Sequence, residues 1–320
     1  MTRFLIRRSV QGIFTLWVIV TLVFLLYNLG PNDVARAIAG IHATQQDLAS
    51  VRHYLGLDKP LWDQYGIYIS HLVTGNFGIS YQNRLSVLHI IGQAVPIDIS
   101  LAIGAAILWM ALGLSVGILA ARRPRTVWDR SATVFVLTGL STPTFILGLL
   151  LIYFFFYILT INGIKWFVGP GQYAPFLPNP LIWAHDLILP WVTLALITAA
   201  TYARLSRSSL LETLGEDYIR TARAKGLSER RVVYRHALRS AVTPIVTQFG
   251  IDLATVLGGA IITETVFGLP GLGYTVVRAI SVGDLPVVEG IVLVASAFIV
   301  VANIVVDALY AVLDPRVRLT

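Results

Sequence analysis

Six apolar runs dominate this 320-residue chain, each close to the roughly 20 residues a helix needs to cross the hydrocarbon of a bilayer. They occupy residues 9–29, 97–121, 132–159, 187–205, 245–265 and 287–313. In lipid a segment must satisfy its own backbone hydrogen bonds, so only helices and closed barrels span. No run alternates with the period of two that a barrel strand requires. The expected fold is therefore all-α, a polytopic membrane protein with six transmembrane helices. The fourth run is the weakest, diluted by Thr193, Thr198, Thr201 and Tyr202. Charged residues make up 13% of the chain, against roughly a quarter in soluble domains. Cysteine is absent, which excludes a disulfide framework, a thiolate metal site and a cysteine nucleophile.

The net charge of +7 is concentrated between the runs. With a cytoplasmic N-terminus, the inside segments hold 18 of the 24 lysines and arginines, nine of them from Arg204 to Arg239. Basic residues accumulate on the cytoplasmic side, so this topology is favoured, with both termini inside. The charge then serves to orient helices, and nucleic acid is not an expected partner. The first run follows Arg7 and Arg8 and precedes Ala37-Ile38-Ala39, the outline of a signal peptide. Its apolar core exceeds the usual 7–15 residues, so we read it as a retained helix.

This divides the chain into an N-terminal transmembrane helix over 1–30, a partly helical extracytoplasmic insertion over 31–96, and a core over 97–320. In the insertion, Thr44 and Asp47 have capping-box spacing, predicting a helix to about Leu55 with Gly56 as its stop. A second helix is expected from Trp62 to Thr74. Residues 169–180, GPGQYAPFLPNP, form a proline-rich outer loop.

The polar stretch 216–239, EDYIRTARAKGLSERRVVYRHALR, is out of character with the rest of the chain. Thr213 and Glu216 have capping-box spacing, which starts a helix near Leu214. Gly226 can end it in the left-handed conformation, and Ala222 and Ala224 offer a small face to a partner. Ser228 can cap a second helix, with Leu227 and Val232 as a hydrophobic staple, running to about Ala241 before Pro244. The pattern alone leaves two readings open: a loop that only orients the protein, or a docking platform.

Residues 214–244, LGEDYIRTARAKGLSERRVVYRHALRSAVTP, resemble the cytoplasmic loop of ABC-importer permeases of the binding-protein-dependent family, in particular the dipeptide/oligopeptide branch. The resemblance extends to LGLDKP at 55–60, FGIS at 77–80, RLSRSSLLETLGEDY at 204–218, TETVFGLPGLG at 263–273, DLPVVEG at 284–290 and LDPRVR at 313–318. It covers essentially the whole chain and implies the type I ABC importer permease fold, here the first permease subunit of a heterodimer. It further implies that the loop, spanning 206–244, forms a coupling helix seated on a cytoplasmic ATPase. Glu216, Asp217, Tyr218, Arg220, Thr221, Ala222, Ala224, Lys225 and Gly226 match that region. The family's Glu-Ala-Ala motif reads Arg220-Thr221-Ala222 here, so the glutamate's role is not carried over.

The implied partners are a second similar permease subunit, two ATPase domains, an extracytoplasmic solute-binding protein and a peptide substrate, in the lipid of a bacterial inner membrane. A nucleotide loop of the Walker type needs Gly-Lys followed by Ser or Thr. The three lysines, Lys59, Lys165 and Lys225, stand in DKP, IKW and AKG contexts. ATP and Mg are thus expected on the partner ATPases, with no cofactor in this chain and no enzyme activity of its own. The same branch transports nickel chelates, glutathione and haem, which stay open as alternative solutes. A channel or a proton-driven carrier would leave the coupling loop without a purpose.

Polar groups within spans are costly and mark functional positions. Asp252, Glu264, Asn303 and Asp307 qualify. With Phe267 and Pro270 of the TETVFGLPGLG segment they are candidates for the translocation path or outer gate, Glu264 as a contact for a substrate ammonium group. The glycines and proline at 268–273 are expected to forbid a continued helix. The six histidines show no i, i+3 or i, i+4 pair, so no metal site is expected.

Overall fold

A computed structural model describes residues 2–29, 35, 43–54 and 57–313. Twelve helices organise these residues: α1 (Thr2–Leu29), α2 (Gln45–Tyr54), α3 (Leu61–Val73), α4 (Val87–Arg122), α5 (Val127–Ser141), α6 (Thr144–Ile161), α7 (Pro180–Leu214), α8 (Asp217–Ala224), α9 (Glu229–Leu257), α10 (Ile261–Phe267), α11 (Leu272–Val282) and α12 (Leu285–Leu313). Among the described residues there is no β-strand, only an isolated bridge between Ile79 and Ser86. Among the described residues, six helices are long and apolar enough to cross a membrane: α1, α4, α6, α7, α9 and α12.

Helix limits differ from the sequence expectation where proline and glycine act. The third run breaks at Pro143, whose ring disfavours helical geometry in the residue before it; Thr142 is extended at φ −92°, ψ 118°. Only α6 of that run spans, and its segment Ile152–Ile158 is π-helical. The fifth span starts at Glu229 and continues through Pro244, rather than stopping before it. It ends at Leu257, so Thr263–Thr265 belong to α10, not to that span. Helices α10 and α11 are bent by 83° at the break between them, making a right-angled helical hairpin. Gly268 permits the bend at φ 64°. Gly273, expected as a breaker, lies inside α11 instead.

The scaffold is the α4–α7 pair. Without an aqueous driving force, helices in lipid associate through close packing of small residues. On α4 a Cβ at Gly104 would lie 2.0 Å from the Trp191 ring, one at Gly113 2.4 Å from Tyr202 Cβ, and one at Gly117 1.9 Å from Ser206 Oγ. The two α7 tryptophans are tied to the same residue of α4: Trp191 Nε1 donates to the Ser100 carbonyl at 2.9 Å, and Trp183 Nε1 to Ser100 Oγ at 2.9 Å. Around this seam a buried core joins Leu101, Trp109, Leu187, Ala199 and Tyr202 to Ile245 of α9 and Phe267 of α10.

The bundle has one arginine-rich end, carrying Arg122–Arg130 and α8, and an opposite end carrying α2, α3 and the hairpin. At the opposite end, the capping box forms as expected: Thr44 N donates to Asp47 Oδ2 at 2.9 Å and Asp47 N to Thr44 Oγ1 at 3.2 Å. Leu55 and Gly56, the expected end of that helix, lie outside the described residues. The second helix ends with Thr74 as its cap. Asp284 pins the loop before α4, accepting from Ser80 Oγ at 2.5 Å and from Tyr81 N at 3.0 Å. Helix α4 begins at Val87, ahead of Pro96, inside the segment expected to be insertion.

Candidate functional site

At the arginine-rich end, α8 lies on the bundle with one face buried and one face open. Ile219 is fully buried and Ala222 is buried, packed with Ala121 of α4, Leu210 of α7, and Val232, Val233, Ala237 and Ala241 of α9. Leu227 joins this cluster beside Val232, as a staple would. The side chains of Glu216, Asp217, Tyr218, Arg220, Thr221, Ala224 and Lys225 are exposed. Of the two alanines expected to face a partner, Ala222 turns inward and Ala224 outward.

The local reasons for this placement are partly those the sequence offered. Gly226 follows the helix at φ 75°, with open space around it. Across that turn the Arg223 guanidinium donates to both carboxylate oxygens of Glu229, at 3.1 and 2.8 Å. Tyr218 OH donates to Ser240 Oγ at 3.0 Å, tying α8 to α9. The expected caps act differently. Helix α7 continues to Leu214, and Thr213 Oγ1 bonds back to the Ser209 carbonyl at 2.8 Å. A hydroxyl in a helix readily takes the carbonyl one turn earlier, so it is spent before α8 begins. Glu216 and Ser228 take the N-cap positions of α8 and α9, but neither side chain makes a capping bond.

A half-buried charge pair braces the same end. Arg207 of α7 donates to both oxygens of Asp129 on α5, at 2.6 and 3.1 Å, and Arg125 N donates to Oδ2 at 2.9 Å. The guanidinium first, and then the backbone N–H, hold the Asp129 carboxyl below its ordinary value.

At the opposite end, the hairpin packs into the bundle. Phe267 is buried in the main core, and its carbonyl accepts from Gly171 N of the proline-rich loop at 2.7 Å. Glu264 is fully buried, its Oε2 accepting from Tyr274 N at 2.8 Å. Asp98 of α4, also fully buried, accepts from Leu272 N at 2.8 Å.

A chain of this build has known counterparts. Residues 113–319 match the family described as binding-protein-dependent transport system inner membrane component, and residues 1–102 match the N-terminal region of such components. The chain belongs to this family. It is 40% identical to "Probable peptide ABC transporter permease protein y4tP" of Sinorhizobium fredii, over 98% of this chain and 99% of that one. It is 38% identical to the dipeptide transport system permease protein DppB of Escherichia coli K12, over 99% of both. Among solved structures, an inward-facing form of the MetNI methionine ABC transporter matches 71% of this chain and 97% of its own, with TM-score 0.56 and 20% identity. That likeness supports the importer permease fold alone.

In this permease the polar residues singled out within the spans are scattered. Asp252 is half-buried on α9, and both its oxygens are taken, by Tyr202 OH at 2.8 Å and Gln248 Nε2 at 2.9 Å. Asn303 is exposed on α12, and Pro270 is exposed at the hairpin bend. The side chain of Asp307 lies outside the described residues. Among the described residues of this group, Glu264 and Phe267 share one element, α10. The sequence reading missed Asp98, although a lone carboxylate inside an apolar run is the signal that picked out Asp252. It also missed the Arg207–Asp129 pair, whose members are far apart in sequence and carry no local pattern.

Proposed function

We propose that this chain is a membrane-spanning permease subunit of an ATP-driven importer for di- and oligopeptides. The peptide substrate is inferred from the names of relatives matched along nearly their whole length. The arginine-rich end is cytoplasmic, as the positive-inside rule favours. Helix α8 is the coupling helix, and the observation that carries this reading is its division into a buried anchor and an exposed polar face. ATP and Mg are bound by partner ATPase domains. A second, similar permease subunit completes the path, and a solute-binding protein delivers the peptide at the hairpin end.

Coupling follows from where the anchor sits. Ile219 and Ala222 share one core with the ends of α4, α7 and α9. Close-packed cores shift between discrete arrangements rather than deform smoothly. A push on α8 as the ATPases close is therefore delivered to three spanning helices at once. Gly226→Pro tests the route, because proline holds φ near −65° and this turn needs φ 75°. The expected result is loss of ATP-driven peptide uptake with membrane insertion intact; normal uptake by this variant would sink the coupling role.

A further inference from the structure

The N-terminus of α11 receives carboxyl groups from two separate elements. Its first N–H, that of Leu272, is taken by Asp98 Oδ2 of α4. The N–H of Tyr274, two residues on, is taken by Glu264 Oε2 of α10. Both side chains have no solvent exposure. The remaining oxygens, Asp98 Oδ1 and Glu264 Oε1, are buried without any other hydrogen-bond partner. The two carboxyls crowd one point: a Cβ on Gly271 would lie 2.5 Å from Glu264 Oε2 and 3.0 Å from Asp98 Oδ1. Only glycine fits between them.

Two ionised carboxylates at such a place repel each other and lose their hydration, both unfavourable. A helix N-terminus offers about half a positive charge, enough to favour one anion but not two. A buried oxygen without a donor is itself costly. One proton shared between the two carboxyl groups removes the repulsion and gives Asp98 Oδ1, which crowds Gly271 together with the Glu264 carboxyl, a hydrogen-bond partner. We propose that Asp98 and Glu264 hold a single shared proton, and that this bond latches the α10–α11 hairpin to α4. In this arrangement Glu264 is a positioning residue for the hairpin rather than a contact for a substrate ammonium group. The latch does not rest on the transport reading, since it concerns how the hairpin is held whatever passes beside it.

The proton makes a specific demand on substitutions. In Asp98→Asn or Glu264→Gln, the amide oxygen still accepts from the backbone and its NH2 donates to the remaining carboxylate. Each single amide replaces the proton. In the double variant two NH2 groups face each other and no acceptor is left between them. The experiment is thermal melting and infrared spectroscopy of the full chain in lipid nanodiscs. Both single variants are expected to melt within about 2 °C of the parent, and the double variant about 5 °C or more below the sum of their shifts. The parent should show a carboxylic-acid carbonyl band that both singles lose. Difference spectra against the parent keep this band apart from any due to Glu289, whose Oε1 is also buried without a partner. Additive shifts, or a parent spectrum without the band, would overturn the shared proton. So would single variants as unstable as the double, the pattern of two carboxylates holding a cation instead.

Discussion

Arg207 and Asp129 show how one pair of side chains can hold two helices together near a working surface. Asp129 is buried, while Arg207 is about a third exposed, so solvent weakens the pair below the value for a fully buried one. Arg207→Ala strands the carboxylate and should lower stability by about 1–3 kcal/mol, read by thermal melting in nanodiscs. The folded carboxyl titrates below its unfolded value. Its contribution is therefore complete at neutral pH and is lost as pH falls through the folded value. Asp129→Asn should remove that acid-sensitive part, visible as a flatter melting profile as pH falls below about 5. Neither residue was identifiable beforehand, because α5 and α7 are separated by the whole of α6. Gly226 was identifiable, since a glycine ending a short polar helix has a local reason to be there. Thr213 and Ser228 had the right spacing for caps, but spacing alone does not say whether a neighbouring carbonyl takes the hydroxyl first.

Helices follow the same division between local and distant causes. The six spans were legible because the length of an apolar run is set by the bilayer itself. Their ends were less so, since Pro244 is carried inside α9 whereas Pro143 breaks its run. In membrane helices freed backbone groups can be satisfied by neighbours, so tertiary context decides which proline is tolerated. The right-angled hairpin was hidden because its first half reads as a continuation of the fifth span. The α4–α7 seam gives a test at this scale. Gly117→Val drives a side chain into Ser206 and should cost about 1–3 kcal/mol or more. Gly66→Ala on α3, where a Cβ meets nothing within 4 Å, should be neutral or stabilising by up to about 1 kcal/mol. Melting of both variants checks the contrast, and equal destabilisation would mean that close approach at the seam is not what the glycine serves.

For the whole molecule, the proposed function is a matter of relaying motion between two ends. The α8 anchor serves one end and the carboxyl-capped hairpin the other, with the α4 and α7 scaffold between them. Ile219→Asp puts a charge into the shared core and should uncouple ATP hydrolysis from uptake while the chain still inserts; uptake at the parent rate would show that this anchor is dispensable. The most direct measurement of the central claim uses the absence of cysteine in this chain. Single cysteines placed at Ala224 and Lys225, on the exposed face of α8, would be treated with a short thiol crosslinker in membranes containing the co-expressed ATPase. A matching cysteine at Thr74, at the opposite end, serves as control. The account predicts adducts between this chain and the ATPase from both α8 positions and none from Thr74. No adduct from either α8 position, or equal yields from all three, would contradict it.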